Sequence, residues 1–531
     1  MAEAPAARET TPTTPSAPSP WRSWLRPIAA FIVTFVVLAS FAGGERLRSA
    51  SANNHYAHLA QSWLDGTLEH EGKPKGWCTK ELRRAKQCKR NRHDDWARVW
   101  TLSLRDGSTV RAHKCRTEAC DALRKRGVEG WLTLGRGAQL LELGRGEIVE
   151  RRETWYVSFP PTPALVMLPA VALWGPEGTP DVLLTCLLAA LIPAVLLRLF
   201  DRERGEQLEH LFAAGAWALG SPALLLGSHG EVWFTAQIVS ALCLALYVSM
   251  AWRCHRPLLA GLALGLAVGA RPHVAVAVVF FALEWWREGQ RQDQSLRERA
   301  LVALRFAAPI VVIGSALMAM NWARFADPFE FGHRFLDIRW QRRMQEIGMF
   351  APDYLGRNLR CAFTLMPTWA HGPGALPELL GGPKSDLAAW VPRVSIHGSS
   401  ILLGSPWVLL TAFALRPRAE GEDSPAPQRW GLLLAAAAVA VPSLLYQNSG
   451  QLQFSYRFAV DWLPFALPAL VVAGGAGSSK TPWGVRVRWL FLALVLAAAA
   501  WQLHGAWWFD RAPGRLFVTD SAGWPFESEL R

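Results

Sequence analysis

The 531-residue sequence lacks the polar linkers that would divide a soluble chain of this length into domains. It also lacks any internal repeat, and the Asp and Glu residues between its apolar runs show no clustered ligand spacing. The first absence argues against a string of soluble modules. The second argues against a transporter built from repeated halves, which would also carry polar residues along both halves of several spans. The third leaves no expectation of a metal site. Acidic charge is in deficit too, with a formal net charge of +13. That excess is not spread along the chain: Glu71 to Arg152 holds 21 Lys/Arg against 11 Asp/Glu. A single basic segment in a chain that is 51% hydrophobic is no argument for nucleic acid.

What is present is a series of apolar runs, each of about 15–22 residues. About 20 apolar residues at helical rise cross a bilayer. We read about eleven spans, at roughly 27–43, 180–198, 208–227, 231–251, 257–270, 272–286, 301–320, 397–415, 430–446, 457–473 and 489–506. The fold class is therefore mainly α, a polytopic transmembrane helix bundle. Residues 1–20 read as a disordered cytoplasmic tail, and the first span as a retained signal-anchor. Residues 21–70 hold that span and the start of the first outer loop, and 71–152 an inserted basic domain. Residues 153–320 hold the next six spans, 321–393 a second outer loop, and 394–531 the last four spans and a tail. Pro163 to Gly175 is apolar but too short to span, and reads as an interfacial or re-entrant helix.

Short basic breaks stay in the cytoplasm. Arg22 and Arg26, Arg198 to Arg204, Arg253 and Arg256, Arg287 to Arg299, Arg416 to Arg429 and Lys480 to Arg488 alternate with nearly uncharged breaks. This places the N-terminus inside and the C-terminus outside. It also favours a hairpin over a single long helix for 257–286, because a hairpin keeps two basic clusters on one side.

The inserted domain should be β-rich. Residues 96–112 alternate apolar and polar around Asp106-Gly107, a hairpin signal, and 138–149 read as further strand. Its Cys78, Cys88, Cys115 and Cys120 are disulfide candidates outside the cytoplasm; of three pairings the local one, Cys78–Cys88 with Cys115–Cys120, is preferred. Zinc with His93 and His113 is the rival, but the spacings fit no common zinc pattern. The positive charge is either a solvated surface or an attraction for anionic lipid headgroups.

Polar residues beside the spans gather at the outer ends: Asn53, Asn54, His55 and Tyr56; His229 and Glu231; Arg271 and His273; Asn321 and Arg324; and residues 446–461. Ionisable groups at membrane depth are costly, which makes Glu231, Arg271, Arg457 and Asp461 site candidates. The plain alternative is that Arg457 and Asp461, four apart on one helix, simply pair.

Several stretches, taken in order, resemble a family. They are HYAHLAQSWLDGTL after the first span, WYVSFPPTPALVMLP, GSHGEVWFTAQ with AGLALGLAVGARP, NWARFADPFEFGHR, and QFSYRFAVDWLPF. Their order and placement resemble the GT-C class membrane glycosyltransferases that use polyprenyl-phosphate sugars, such as aminoarabinose and protein mannosyl transferases. The inserted domain is outside that pattern. The resemblance implies a lipid-phosphate sugar donor, no further cofactor, and an envelope glycan, lipid or protein acceptor at the outer face of a bacterial inner membrane. It implies a carboxylate early in the first outer loop as general base, and cations for the leaving phosphate. At the place of the acid the sequence reads Asn53-Asn54. Glu45, Asp65 or Glu231 would substitute, with Glu231 preferred and His229, Asn54 and His55 beside it. Arg271, Arg324 and Arg457, with Tyr456 and Asp461, would hold the lipid phosphate. The rival function is a non-catalytic GT-C-like protein of envelope assembly or lipid handling.

Overall fold

The computed structural model of the chain describes residues 22–74, 95–144, 146–336, 338, 340–373, 388–415, 426–450, 452–478, 481–511 and 516–518. Cys78, Cys88, His93 and the 1–20 tail lie outside the described residues.

Among the described residues, five helices are long and apolar enough to cross a membrane: Ser23–Ala42, Asp181–Arg204, Glu231–Cys254, Leu296–Phe325 and Pro482–Arg511. The expected span at 208–227 is two helices, Leu208–Ala218 and Ala223–His229, bent by 57° at a short break. Four more expected spans are shorter apolar helices, at Pro257–Val268, Pro406–Leu415, Gln428–Leu444 and Ala459–Val472. The stretch expected at 272–286 is a 3-10 turn, Pro272–Ala277, running into the helix Val278–Arg291. The chain is thus a helical multi-pass protein in which full-length crossings are fewer than the apolar runs. Proline is a local reason at three breaks, Ser221-Pro222, Arg271-Pro272 and Ser405-Pro406, since it ends or kinks a helix, whereas Pro193 and Pro309 lie inside unbroken helices. Neighbouring helices are the compensating reason, because they satisfy the freed backbone groups. The expected span at 397–415 shows both. It breaks at Ser405-Pro406, and Ser405 Oγ and Trp407 Nε1 donate to the Gly220 carbonyl at 2.9 and 2.7 Å. Gly220 itself lies in the break of the bent pair.

The order of contacts resolves the 257–286 question. A side chain at Gly261 would meet Phe306 and Pro309, and one at Gly265 would meet Ile310 and Ile313. The helices Pro257–Val268 and Leu296–Phe325 therefore run parallel, and the chain between them must return. Arg253 N donates to Glu284 Oε2 at 2.7 Å, so the helix Val278–Arg291 ends beside the start of Pro257–Val268. This is a returning path and not one long helix. Close approach at Gly261 is tight enough that a methyl there would collide with the Phe306 carbonyl, as at small-residue crossings in membranes. Gly261→Val is expected to force these helices apart, with a loss of several degrees in melting temperature in detergent.

The basic breaks meet at one end. Arg26 pairs with Asp201 at 3.2 Å, Arg253 with Glu203 at 3.8 Å and Arg488 with Glu209 at 3.4 Å. Arg202 donates to the Ser249 carbonyl and Arg204 to the Val472 carbonyl.

At the other end sits the inserted domain. Its strands are β1 (Trp96–Leu104), β2 (Thr109–Lys114), β3 (Glu129–Thr133), β4 (Leu140–Leu143) and β5 (Ile148–Val157), in the antiparallel order β4-β3-β2-β1-β5. The hairpin turns at Gly107, whose φ is +87°, and Asp106 accepts from Ser108 N. β5 runs to Val157, beyond the expected boundary at 152, and leads into the helix Thr162–Gly178. The two faces of β1 alternate in partner, as a pleated strand requires. Leu102 packs with Ala112, Trp131 and Leu143 in the domain's own core. Ala97 and Val99 pack instead on Tyr156, Phe325 and Phe335.

That second contact joins the domain to the second outer loop. Ala97 bridges Leu336, Arg136 pairs with Asp327 at 3.4 Å, and Arg342 reaches Glu118 and Asp121 at 3.2 and 3.4 Å. Gln345 accepts from Arg116 N and donates to the Lys114 carbonyl. Cys115 and Cys120 form a disulfide within that docking segment. Cys115→Ser is expected to cost about 2 kcal/mol by the closed-loop estimate. Hydrogen exchange over 114–121 and 341–346 would rise together, because one segment holds the other.

Two desolvated imidazoles, His113 buried and His333 half-buried, make this seam acid-sensitive. His113 rests against Phe335 with ring centroids at 4.8 Å, and burial lowers its pKa to about 4. Burial, with the Arg271 charge, lowers His333 to about 4 as well. In the unfolded chain each titrates near 6.5. The unfolded state therefore binds protons first, and stability present above pH 6.5 is lost as pH falls towards 4. Roughly 2 kcal/mol per imidazole is lost by pH 4.5. Melting curves from pH 7.5 to 4.5 should fall accordingly, and His113→Phe should flatten part of that fall.

Candidate active site

Polar side chains at the inserted-domain end form two groups that share one aromatic wall. The first is built on the loop before Ala459–Val472. Arg457 N donates to Gln453 Oε1, and Gln237, buried in the helix Glu231–Ala251, bonds Arg457 twice. One bond runs from Gln237 Nε2 to the Arg457 carbonyl and the other from Arg457 Nη1 to Gln237 Oε1, at 3.0 and 3.2 Å. Arg271 comes from the break after Pro257–Val268 and pairs with Asp461 at 2.8 Å; His273 approaches the same carboxylate at 3.3 Å. Asp461 is fully buried. The i,i+4 pairing of Arg457 with Asp461 is thus not what forms: Asp461 is engaged by Arg271 and His273, and Arg457 is left to Gln237. Both guanidiniums flank the Phe458 ring, Arg271 at 5.5 Å and Arg457 at 5.2 Å from its centre. Among the described residues, Nε of each arginine, Asp461 Oδ1 and the Tyr56 hydroxyl are buried without a hydrogen-bond partner. Two guanidiniums, each with an unpartnered buried Nε, thus share one ring. Tyr56, on the helix His55–Leu64, stays a neutral donor, because burial pushes its pKa up against the pull of Arg271.

The second group surrounds Glu231. Its carboxylate accepts from Asn53 Nδ2 at 2.8 Å, lies 3.5 Å from His229 Nε2 and 3.9 Å from Arg46. The residue is an N-terminal helix residue with φ +66°, following Gly230 at φ +67°. Left-handed backbone at a non-glycine residue is strained, and such strain gathers at functional sites. A side chain at Gly230 would be strained, since its φ is +67° and a Cβ would lie 3.1 Å from Val182 Cα. Beyond His229 stands Asp510, from the last turn of the C-terminal helix, 2.9 Å from Nδ1 and paired with Arg46. Phe234 links the groups: its ring is 5.4 Å from the Arg457 guanidinium and 5.1 Å from the His229 ring.

The expected site residues thus divide. Arg271, Arg457, Asp461, His229 and Glu231 come together. Tyr456 lies near, buried, its N–H donated to the Ser399 carbonyl. Asn54 donates to the Pro176 carbonyl and anchors the helix Thr162–Gly178, while it is Asn53 that meets the carboxylate. His55 stacks on Trp96 at 4.6 Å. Asp65 is not brought in: it caps the far end of its helix, exposed and bonded to Gln61. Glu45 is exposed. Arg324 serves elsewhere, donating to the Val157 carbonyl and to Asn321, so that it clamps the long helix to β5. Its full burial follows from the inserted domain sitting on it, which spacing alone does not reveal.

Sequence reasoning missed Arg46, Gln237 and Asp510, and gave no role to Asn53 and Tyr56, which it placed among the outer polar residues. Two of these carry a signal. Arg46 is basic just after a span whose basic flank is at its other end, and Asp510 ends an otherwise aromatic turn, WWFD. Among the described residues, no group of three or more His, Cys, Asp or Glu could hold a metal ion.

Helices and site together define a multi-pass membrane protein with a two-part polar centre at one end of its bundle. No protein-family model matches the chain, and no curated protein matches it. Among solved structures it is similar to ArnT from Cupriavidus metallidurans bound to undecaprenyl phosphate, with 12% identity over 93% of this chain and 76% of that one, and a TM-score of 0.39. No residue role follows from a similarity that low.

Proposed function

We propose that the chain transfers a sugar from a polyprenyl-phosphate carrier to an envelope acceptor at the outer face of a bacterial inner membrane. The supporting observation is that Arg271 and Arg457, with spare buried donors, share an aromatic wall with the strained carboxylate of Glu231. The orientation rests on the basic end facing the cytoplasm, which leaves the polar centre outside, beneath the inserted domain.

The chemistry requires three things, and each has a candidate. The C1–oxygen bond to phosphate breaks as C1 gains positive charge, and the electron pair leaves on the phosphate. Arg457 and Arg271 receive that charge. The acceptor oxygen bonds C1 and must lose its proton, which Glu231 takes. Asn53 holds Glu231 Oε2, so the amide that replaces the family's acid orients the substitute. Glu231 is 16% exposed at its side chain, open enough to meet an acceptor.

The test is mass spectrometry of envelope glycolipids and glycoproteins from a deletion strain, complemented by wild type, Glu231→Gln or Arg457→Ala. Loss of one glycan on deletion, restored by wild type alone, is the expected result. An unchanged glycan profile on deletion would remove the reading.

A further inference from the structure

The second polar group contains more than a base needs. His229 lies between two carboxylates, 3.5 Å from Glu231 by Nε2 and 2.9 Å from Asp510 by Nδ1. Glu231 and His229 are nearly enclosed, whereas Asp510 is 41% exposed at its side chain. Arg46 fixes the geometry from the end of the first span, donating to the His229 carbonyl at 2.6 Å and pairing with Asp510. Phe234 and Phe509 pack edge-on against the imidazole, each with ring centroids at 5.1 Å, and touch each other at 6.2 Å. The result is a line of proton-exchanging atoms from the enclosed carboxylate to solvent, assembled from three distant parts of the chain.

We propose that Asp510 and His229 form a proton exit for Glu231, with Asp510 acting as a positioning and relay residue for the transfer reaction. The proposal rests on the reading of Glu231 as base. When the acceptor oxygen bonds C1 and the phosphate departs with its electron pair, the acceptor proton passes to Glu231. Glu231 gives it to His229 Nε2, and His229 releases its Nδ1 proton to Asp510 Oδ2, which hands it to water. Glu231 returns to carboxylate, and His229 is left with its proton on Nε2; exchange of that tautomer back to the Nδ1–H form resets the relay, and no other reactant is consumed. A chain of this kind matters most where the base is enclosed, because a proton left on Glu231 would block the next turnover. The charges facing His229 are Glu231, Asp510 and Arg46; Asp181, beside Glu231, and Arg511, beside Asp510, are the next ones out.

The test uses spheroplasts of the deletion strain expressing each variant. The outer face is clamped between pH 5.5 and 8.5, and the cells' own lipid-linked sugars serve as donor. Transfer is read as the rate at which the missing glycan reappears. Asp510→Asn is expected to lower the rate at least tenfold at pH 6, with the deficit shrinking as pH rises and solvent accepts the proton directly. Asp510→Glu should keep the wild-type profile. His229→Gln should show the Asp510→Asn pattern, and decides the matter if Asp510→Asn does not reach the membrane. A deficit equal at every pH would mean that Asp510 only anchors the C-terminal helix, and would overturn the relay. No deficit for Asp510→Asn, with Glu231→Gln inactive, would also overturn it while leaving the proposed function standing. Wild-type rates in Glu231→Gln would remove the base and the relay together.

Discussion

Glu231→Gln is expected to stop sugar transfer while leaving the protein folded. The amide is close in shape to the carboxylate, and its oxygen can still accept from Asn53. What it loses is the capacity to take a proton. General-base catalysis contributes about 10²–10⁴-fold, so the restored glycan should fall below a few per cent of wild type. The same variant should bind undecaprenyl phosphate with unchanged affinity, because the cations lie beyond Phe234. Full restoration of the glycan by Glu231→Gln would show that the carboxylate has no part in the chemistry. Asn53→Asp supplies the converse check. It brings a second negative charge against Glu231, and partial loss is expected from repulsion and lost orientation.

The second large effect concerns the arginines, and the two differ. Arg457 is neutralised by no carboxylate within salt-bridge distance among the described residues; its partners are Gln237 and two aromatic rings. Arg457→Ala should weaken binding of undecaprenyl phosphate about 10- to 100-fold, the worth of one or two charge-assisted hydrogen bonds. The melting temperature should change little. Arg457→Lys should restore only part, since an ammonium cannot reproduce the planar fork. Arg271→Ala removes the closer of the two partners of the fully buried Asp461 and leaves His273 at 3.3 Å. Breaking a buried pair costs up to about 3–5 kcal/mol, less where a second partner remains, so this variant should lose both binding and stability. Arg271→Ala with Asp461→Asn should recover the stability but not the binding. Titration in detergent with undecaprenyl phosphate, beside melting curves, separates the two arginines. Equal binding by wild type and Arg457→Ala would dismiss the anion site.

Much of this protein is legible in its sequence because the signals are local. Apolar runs marked the helices, and Arg26, Arg202, Arg204, Arg253 and Arg488, from four of the short basic breaks, gather at one end. The Asp106-Gly107 turn and the flanking alternation gave the β1–β2 hairpin in place, and the Cys115–Cys120 pair formed as preferred. The helix breaks were less legible. Whether an apolar run such as 397–415 stays whole depends on what its neighbours can bond, and Gly220 accepting from Ser405 and Trp407 is a long-range fact. The site divides along the same line. Glu231, Arg271 and Arg457 stood out because charge at membrane depth needs a reason. Arg324 stood out equally and belongs to the domain seam. Asp461 was placed beside Arg457 by spacing, yet Arg271, 190 residues away, takes it.

Composition, charge alternation and turn chemistry by themselves determined a helical multi-pass chain, a basic β domain inserted after the first span, and polar residues gathered at one end. Those are properties of single segments, and each segment carries its own physical requirement. Only the tertiary structure decided which polar residues meet. It drew Asp510 from the last helix and Arg46 from the turn after the first onto His229, put Asn53 on Glu231, and spent Arg324 on holding β5. A partner 464 residues away leaves no periodicity to read; it is selected by the packing of whole helices, which sets the distance between two side chains only when every neighbour is in place.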